Sequence, residues 1–313
     1  MDYLLLIGGL AILIAGGEIL VRGAVGIALK FNLSPLVIGM TIVSFGTSAP
    51  ELLVSLKAAL EGHPEIAIGN VVGSNIANIA LVLGITTLIL PIPVQKNTLK
   101  IDWPIMMAVS VLFYLFILNG VLNTWEGAIF VLLLLIFVIY QLKSSKSNET
   151  DDDDEALKEV KSNYSNIYLH LLFILLGVVG LAFGADWLLE GAVNIASNLG
   201  VSEHIISVTI VAFGTSVPEL ATSIIAAFKK QMDISVGNLI GSNIFNLLGV
   251  LGITAIIKEI PISNQVITND VFWMLGTSFL LLPLMLNYNI SRWKGAVLAL
   301  SYLAYVFFLL NGI

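Results

Sequence analysis

The chain has 313 residues, 58% hydrophobic and only 11% charged, with mean hydropathy +0.97 and formal net charge −7. Soluble globular domains carry about a quarter charged residues, so this composition excludes a soluble fold and indicates a membrane protein. No Cys occurs, which excludes disulfides, thiolate metal sites and thiol catalysis.

Apolar blocks of about 20 residues, the length that crosses roughly 30 Å of hydrocarbon, recur along nearly the whole chain. Ten spans are predicted, near residues 3–21, 34–61, 66–90, 101–119, 124–142, 167–189, 202–228, 234–257, 269–287 and 293–311. The opening "MDYLLLIGGLAILIAGG" lacks a basic n-region and a cleavage site, so it reads as the first retained span and not as a signal peptide. Between the fifth and sixth spans, "KSSKSNETDDDDEALKEVKSN" (143–163) is charge-dense with no apolar face. That segment reads as a solvated, cytoplasmic acidic linker. With the N-terminus outside, twelve of the fourteen Lys and Arg face the cytoplasm, and only Lys57 and Lys258 face out. The positive-inside rule therefore predicts an inner-membrane, multi-pass protein with both termini outside.

Shifting the chain by 168 residues aligns its halves without a gap. "GTSAPELLVSLKAAL" from Gly46 matches "GTSVPELATSIIAAF" from Gly214 at 9 of 15 positions. "IGNVVGSNIANIALVLGI" from Ile68 matches "VGNLIGSNIFNLLGVLGI" from Val236 at 11 of 18. Five spans per copy is an odd number, so the second copy enters the membrane from the opposite side. The expected fold is an all-α polytopic membrane protein, ten transmembrane helices arranged as two inverted five-helix repeats. Residues 1–142 form the first repeat, with its motif at 45–85, and 164–313 the second, with its motif at 213–253. Inverted repeats with interrupted helices are the architecture of secondary transporters, which bind substrate near the midplane.

The repeated motif carries the chemistry. Pro50 has no N–H, so the carbonyl of Gly46 loses its helical partner. In lipid an unsatisfied carbonyl costs several kcal/mol unless it meets protein, water or an ion. Glu51, an intramembrane carboxylate, must face the bundle interior. Thr47 and Ser48 lie four and three residues before it, on the same helix side. Farther on, Asn70, Ser74 and Asn78 follow at spacings of four, and Gly69 and Gly73 allow a neighbouring backbone to approach closely. The second copy supplies Thr215, Ser216, Glu219, Gly237, Asn238, Gly241, Ser242 and Asn246. If the copies meet on a pseudo-two-fold axis, Glu51 and Glu219 converge, ringed by Thr47, Thr215, Ser48, Ser216, Ser74, Ser242, Asn78 and Asn246. Ca²⁺ takes six to eight oxygen ligands in flexible geometry, while transition metals prefer His or Cys. Two carboxylates carry −2, which balances one Ca²⁺ or two Na⁺ and favours competition of the two ions for one site.

"GTSAPE" and "GTSVPE", each followed by "GNxxGSN", resemble the two α-repeats of the sodium/calcium exchangers of the cation/calcium antiporter superfamily, in their compact prokaryotic form. The resemblance covers almost the whole chain. It implies a secondary-active antiporter exchanging Na⁺ for Ca²⁺ by alternating access, electrogenic, with three Na⁺ per Ca²⁺ typical. It further implies that Glu51 and Glu219 are the central Ca²⁺ ligands, helped by backbone carbonyls of Thr47 and Thr215. Carbonyls of Ser44 and Ala212 and the hydroxyls of Ser48, Ser74, Ser216 and Ser242 would help hold Na⁺, and the first and sixth spans would form the moving gate. Members of the potassium-dependent branch usually carry Asp where this chain has Asn246, which argues against a K⁺ requirement. Ca²⁺ and Na⁺ are thus expected as transported substrates, with no cofactor, no nucleic acid and no obligate protein partner. The alternatives are a proton/Ca²⁺ antiporter, since buried glutamates can carry H⁺ in place of Na⁺, and a Ca²⁺ channel. An intramembrane enzyme lacks support, because neither HExxH nor a Ser–His or Cys–His set accompanies the motifs.

Overall fold

A computed structural model describes residues 1–146, 166–199 and 214–311. The predicted linker falls almost wholly outside these residues, as do the first twelve residues of the seventh predicted span. Among the described residues the helices are α1 (Asp2–Phe31), α2 (Pro35–Thr47), α3 (Ala49–Leu60), α4 (Pro64–Ile89), α5 (Thr98–Ile117), α6 (Thr124–Lys146), α7 (Ile167–Asn198), α8 (Val217–Phe228), α9 (Met232–Ile257), α10 (Val266–Met285) and α11 (Arg292–Asn311). Eight of them are long and apolar enough to cross a membrane alone. The α2–α3 pair, bent by 42°, makes a ninth if it is counted as one span. Helix α8, twelve residues long, corresponds to the end of the seventh predicted span.

Local chemistry sets the boundaries. Asn32 ends α1 in the left-handed conformation (φ 52°), its N–H returning to the Ala28 carbonyl, a C-terminal stop that Asn tolerates better than most residues. Ser34 caps α2 by accepting from the Val37 N–H at 3.3 Å. Prolines 35, 50, 64 and 218 sit in first turns, where the missing N–H would be unpaired anyway.

Four two-residue strands tie the loops together. β1 (Ile92–Pro93) pairs with β4 (Asn289–Ile290), and β2 (Val121–Leu122) pairs with β3 (Ile260–Pro261), both antiparallel. β1 and β2 flank the two ends of α5, while β3 and β4 flank the two ends of α10. The start of α5 therefore lies beside the end of α10, and the reverse, so these sequence-equivalent helices run antiparallel.

α4 and α9 form the centre. In their most apolar windows 72% and 83% of residues are buried, against 22–33% in the other single-helix spans. Their buried side chains, with Met106, Phe113, Phe130 and Met274, make the main core. α1 and α7 pack together beside it as an antiparallel pair. Glycines at seven-residue intervals, Gly9, Gly16 and Gly23 on one helix and Gly177, Gly184 and Gly191 on the other, let the backbones touch. A Cβ on Gly9 would sit 2.4 Å from the Leu188 nitrogen, whereas one on the adjacent Gly8 would meet only the Trp187 ring, at 3.6 Å. Small residues replace the hydrophobic drive that lipid removes from helix association. Gly9→Ala is therefore expected to destabilise the folded protein by about 1–3 kcal/mol, the usual range for overpacking. Gly8→Ala should be tolerated. Thermal unfolding of both variants in the same detergent checks this, and equal midpoints would mean that the seam is not tight.

Toward the end bearing β1 and β4, Glu18 bonds Arg22 on its own helix at 2.5 Å and Lys229, just past α8, at 3.0 Å. Glu18 and Arg22 are an i, i+4 pair on one helix, whereas the link to Lys229 ties α1 to the α8 side of the core.

Candidate functional site

The bend between α2 and α3 falls at Ser48, whose backbone (φ −85°, ψ 3°) leaves the helical region. Ser216 has the same conformation (φ −88°, ψ 2°) before α8. The Pro residues that follow, Pro50 and Pro218, account for both breaks. Each break sets a glutamate in the first turn of the next helix, Glu51 in α3 and Glu219 in α8. Both are fully buried.

The two carboxylates are close enough to interact electrostatically. Among the described residues, no group donates a hydrogen bond to either oxygen of Glu51 or to Oε2 of Glu219. Glu219 Oε1 has one long contact, from the Ser48 hydroxyl at 3.5 Å. Ionised carboxylates buried with so few donors need a compensating positive charge, and an oxygen-binding cation fits these donors.

Hydroxyl and amide groups from both halves surround the pair in reciprocal fashion. Thr47 donates to Asn238 Oδ1 at 3.0 Å, and Thr215, its counterpart, donates to Asn70 Oδ1 at 3.1 Å. The amide nitrogen of Asn70 donates to Ser55 Oγ (3.0 Å) and that of Asn238 to Ser223 Oγ (3.3 Å), again equivalent residues. Asn75 and Asn243 exchange bonds to each other's backbone carbonyl at 3.2 and 3.1 Å. Each of these bonds locks a side chain in place, which leaves the carboxylates held by a rigid frame.

The remaining predicted residues divide by what they already hold. Among the described residues, the buried Ser216 hydroxyl and both polar atoms of the fully buried Asn78 have no partner. Asn246 spends its nitrogen on Ser74 Oγ (3.0 Å) and Asn75 Oδ1 (3.1 Å), and only its oxygen is unpaired. The Ser242 hydroxyl lies 3.4 Å from that of Thr47. Ser44 is committed to structure: its hydroxyl donates to carbonyls of Gly39 (2.7 Å) and Asn238 (2.9 Å). Its carbonyl accepts from Ser48 N–H at 2.9 Å and Thr47 Oγ1 at 3.4 Å. Ala212 lies outside the described residues. The close approach expected at the glycine pairs is visible at Gly237 and Gly241, where a Cβ would come within 2.5 Å of the Leu36 carbonyl and 2.3 Å of Ser44 Oγ. The segment equivalent to α2 that would face Gly69 and Gly73 is outside the described residues.

Two features escape the sequence motifs. The Asn75–Asn243 exchange sits one residue off the four-residue strip, though "GSN" marks it in both copies. Wider π-helical turns occur at Gly39–Val43, Ala77–Val82 and Asn246–Leu251. These turns shift side-chain facing just where Asn78 and Asn246 point inward, and such bulges gather at functional sites.

A bundle of apolar helices enclosing two buried carboxylates defines a multi-pass membrane protein of the cation-exchanger class. The sequence profile of the family described as sodium/calcium exchanger protein matches residues 1–143 and 169–311, so the chain belongs to that family. Sodium/calcium exchanger MaX1 of Methanosarcina acetivorans is 30% identical over 350 aligned positions, covering 98% of this chain and 97% of the relative. Inner membrane protein YrbG of Escherichia coli is 34% identical over 280, covering 88% and 86%. The solved structure of the sodium-calcium exchanger NCX_Mj superimposes with a TM-score of 0.83 at 31% identity, covering 98% of each chain.

Proposed function

We propose that this chain is a secondary-active antiporter that exchanges Na⁺ for Ca²⁺ by alternating access, with Glu51 and Glu219 as the shared ligands. The observation that carries this reading is the pair of fully buried carboxylates, from equivalent positions in the two halves, with three of four oxygens unpaired. Ser48, Ser216, Asn78, Asn246 and the backbone of Thr47 and Thr215 supply further oxygens, enough for a flexible Ca²⁺ shell. A −2 site holds one Ca²⁺ at neutrality. Two Na⁺ restore the same charge, so either load can occupy it. A third Na⁺ per cycle, as the sodium/calcium exchangers typically use, makes the exchange electrogenic.

Ten spans in two inverted repeats make the two-sided cycle possible. The antiparallel α5–α10 and α1–α7 pairs support that arrangement, because each joins equivalent helices in opposite directions. Both termini lie outside and the 143–163 linker in the cytoplasm of an inner membrane, as the Lys and Arg distribution requires. The Lys229–Glu18 bond agrees with this, joining two segments assigned to the same face.

Vesicles loaded with Na⁺ test the proposal. ⁴⁵Ca²⁺ uptake is expected to require internal Na⁺, to be suppressed by external Na⁺, and to respond to membrane potential. Uptake that ignores Na⁺ but follows a proton gradient would establish H⁺/Ca²⁺ exchange instead. Uptake that needs neither gradient would indicate a channel.

A further inference from the structure

A cavity of about 160 Å³ opens between the start of α2, the β1–α5 connection and the end of α6, at the end of the bundle that carries β1 and β4. Its polar lining comprises Ser34, Gln95, Asn97, Asp102, Gln141 and Ser144. That volume is far above the roughly 15 Å³ one water needs, and Gln95 and Asn97 are exposed to solvent.

Asp102 is the unusual member. It closes a π-helical turn, Thr98–Asp102, at the start of α5 and is only 2% exposed. Its Oδ1 accepts from Gln141 Nε2 at 3.0 Å, while Oδ2 is buried without a hydrogen bond from any described residue. The Thr98 hydroxyl in the same turn is buried beside the Asp102 carboxylate without reaching hydrogen-bond geometry to any described residue. The Gln141 amide nitrogen is committed to Asp102 and, at 3.4 Å, to the Met40 sulfur. No Lys or Arg lines the cavity among the described residues. Lys96, Lys100 and Lys143 on the adjoining segments are exposed, where salt screens charges beyond about 8 Å. A buried carboxylate with one amide donor and no counter-charge is costly, and buried groups left unpaired in this way call for a specific explanation.

We propose that this cavity is a second cation site, separate from Glu51 and Glu219, which takes a hard monovalent cation of the Na⁺ type. Carboxylate, hydroxyl and amide oxygens are ligands for hard cations. A single carboxylate neutralises one positive charge, whereas Ca²⁺ would leave the pocket at +1. Among the described residues, the equivalent Asp270 lines a cavity of about 10 Å³ in which Leu309 stands where the first half has Gln141. Met40, which touches Gln141, also abuts Gly241, the residue before Ser242. The cavity is therefore one packed side chain away from the central frame.

The test is equilibrium Na⁺ binding to purified protein, read as saturable ²³Na⁺ line broadening, in a Glu51→Gln/Glu219→Gln background. Neither arm measures exchange, so failure of this site and failure of the antiporter reading are separately visible. One saturable component is expected to remain, and Asp102→Asn should weaken it at least about tenfold, in line with the loss of a buried charge partner. Gln141→Glu, which raises the pocket to −2, should let micromolar to millimolar Ca²⁺ displace the Na⁺ signal. Absence of a residual component, or one that Asp102→Asn leaves unchanged, overturns the proposal. Should Asp102→Asn fail to give monodisperse protein, Gln141→Glu decides: an unaltered Na⁺/Ca²⁺ preference also overturns it.

Discussion

Glu51→Gln and Glu219→Gln are each expected to reduce Na⁺-driven Ca²⁺ uptake at least about 100-fold while the protein still inserts and folds. The amide keeps the shape of the side chain and removes one charge, which takes the site from −2 to −1. A bound Ca²⁺ then sits with a net +1 in a buried setting, and losing one partner of a buried ion pair costs about 3–5 kcal/mol. That energy corresponds to a factor of about one hundred to several thousand in affinity. Folding should not suffer, because the glutamates have almost no hydrogen bonds to lose. Removing an uncompensated buried charge is neutral or stabilising. The two effects separate cleanly in a thermal-unfolding experiment. Wild-type protein at about 100 times its dissociation constant for Ca²⁺ should gain about 2.7 kcal/mol. Each Gln variant should show an ion-free midpoint equal to or above wild type, with no Ca²⁺-induced rise. A variant that transports at the wild-type rate, or retains the Ca²⁺-induced rise, would remove the carboxylates from the site.

Much of this arrangement was legible in the sequence because membrane chains write their constraints plainly. A proline beside a carboxylate within an apolar run admits few readings, and the bend at Ser48 falls within that motif. Nine of the ten predicted spans coincide with described helices when the bent α2–α3 pair is counted as one, and the tenth is described only from Gly214. Boundaries were less legible. Arg22 and Lys30 suggest that the first span ends at 21, yet α1 continues to Phe31 because nothing before Asn32 breaks it. The α1–α7 seam was available as glycines spaced by seven in both halves, a signal outside the two motifs. The two-residue strands and the π-helical turns were not available, since one extra residue in a turn leaves no trace in composition or periodicity. Nor was the Asp102 pocket, whose lining comes from three separate segments.

Asn246→Asp is expected to make Ca²⁺ transport depend on an additional monovalent cation. In the native site the Asn246 amide nitrogen donates to Ser74 Oγ and Asn75 Oδ1. An aspartate would turn a carboxylate oxygen toward Asn75 Oδ1, an acceptor facing an acceptor. Leaving such buried groups unpaired costs about 1–3 kcal/mol for each neutral one and more for a charge. A cation placed between them relieves both. The charge count leads to the same result: three carboxylates carry −3, so Ca²⁺ alone leaves −1 and one monovalent ion restores neutrality. Wild-type uptake should therefore be indifferent to K⁺, in keeping with Asn at this position. The Asp variant should fall at least about tenfold in a choline medium, where an energy of 1.4 kcal/mol already gives that factor, and recover when K⁺ is added. Asn246→Ala provides the control. It removes the same two donor contacts without adding charge, so it should weaken uptake without conferring a K⁺ response. If the Asp variant transports equally well in choline and in K⁺, the charge of the central site does not set its ion count.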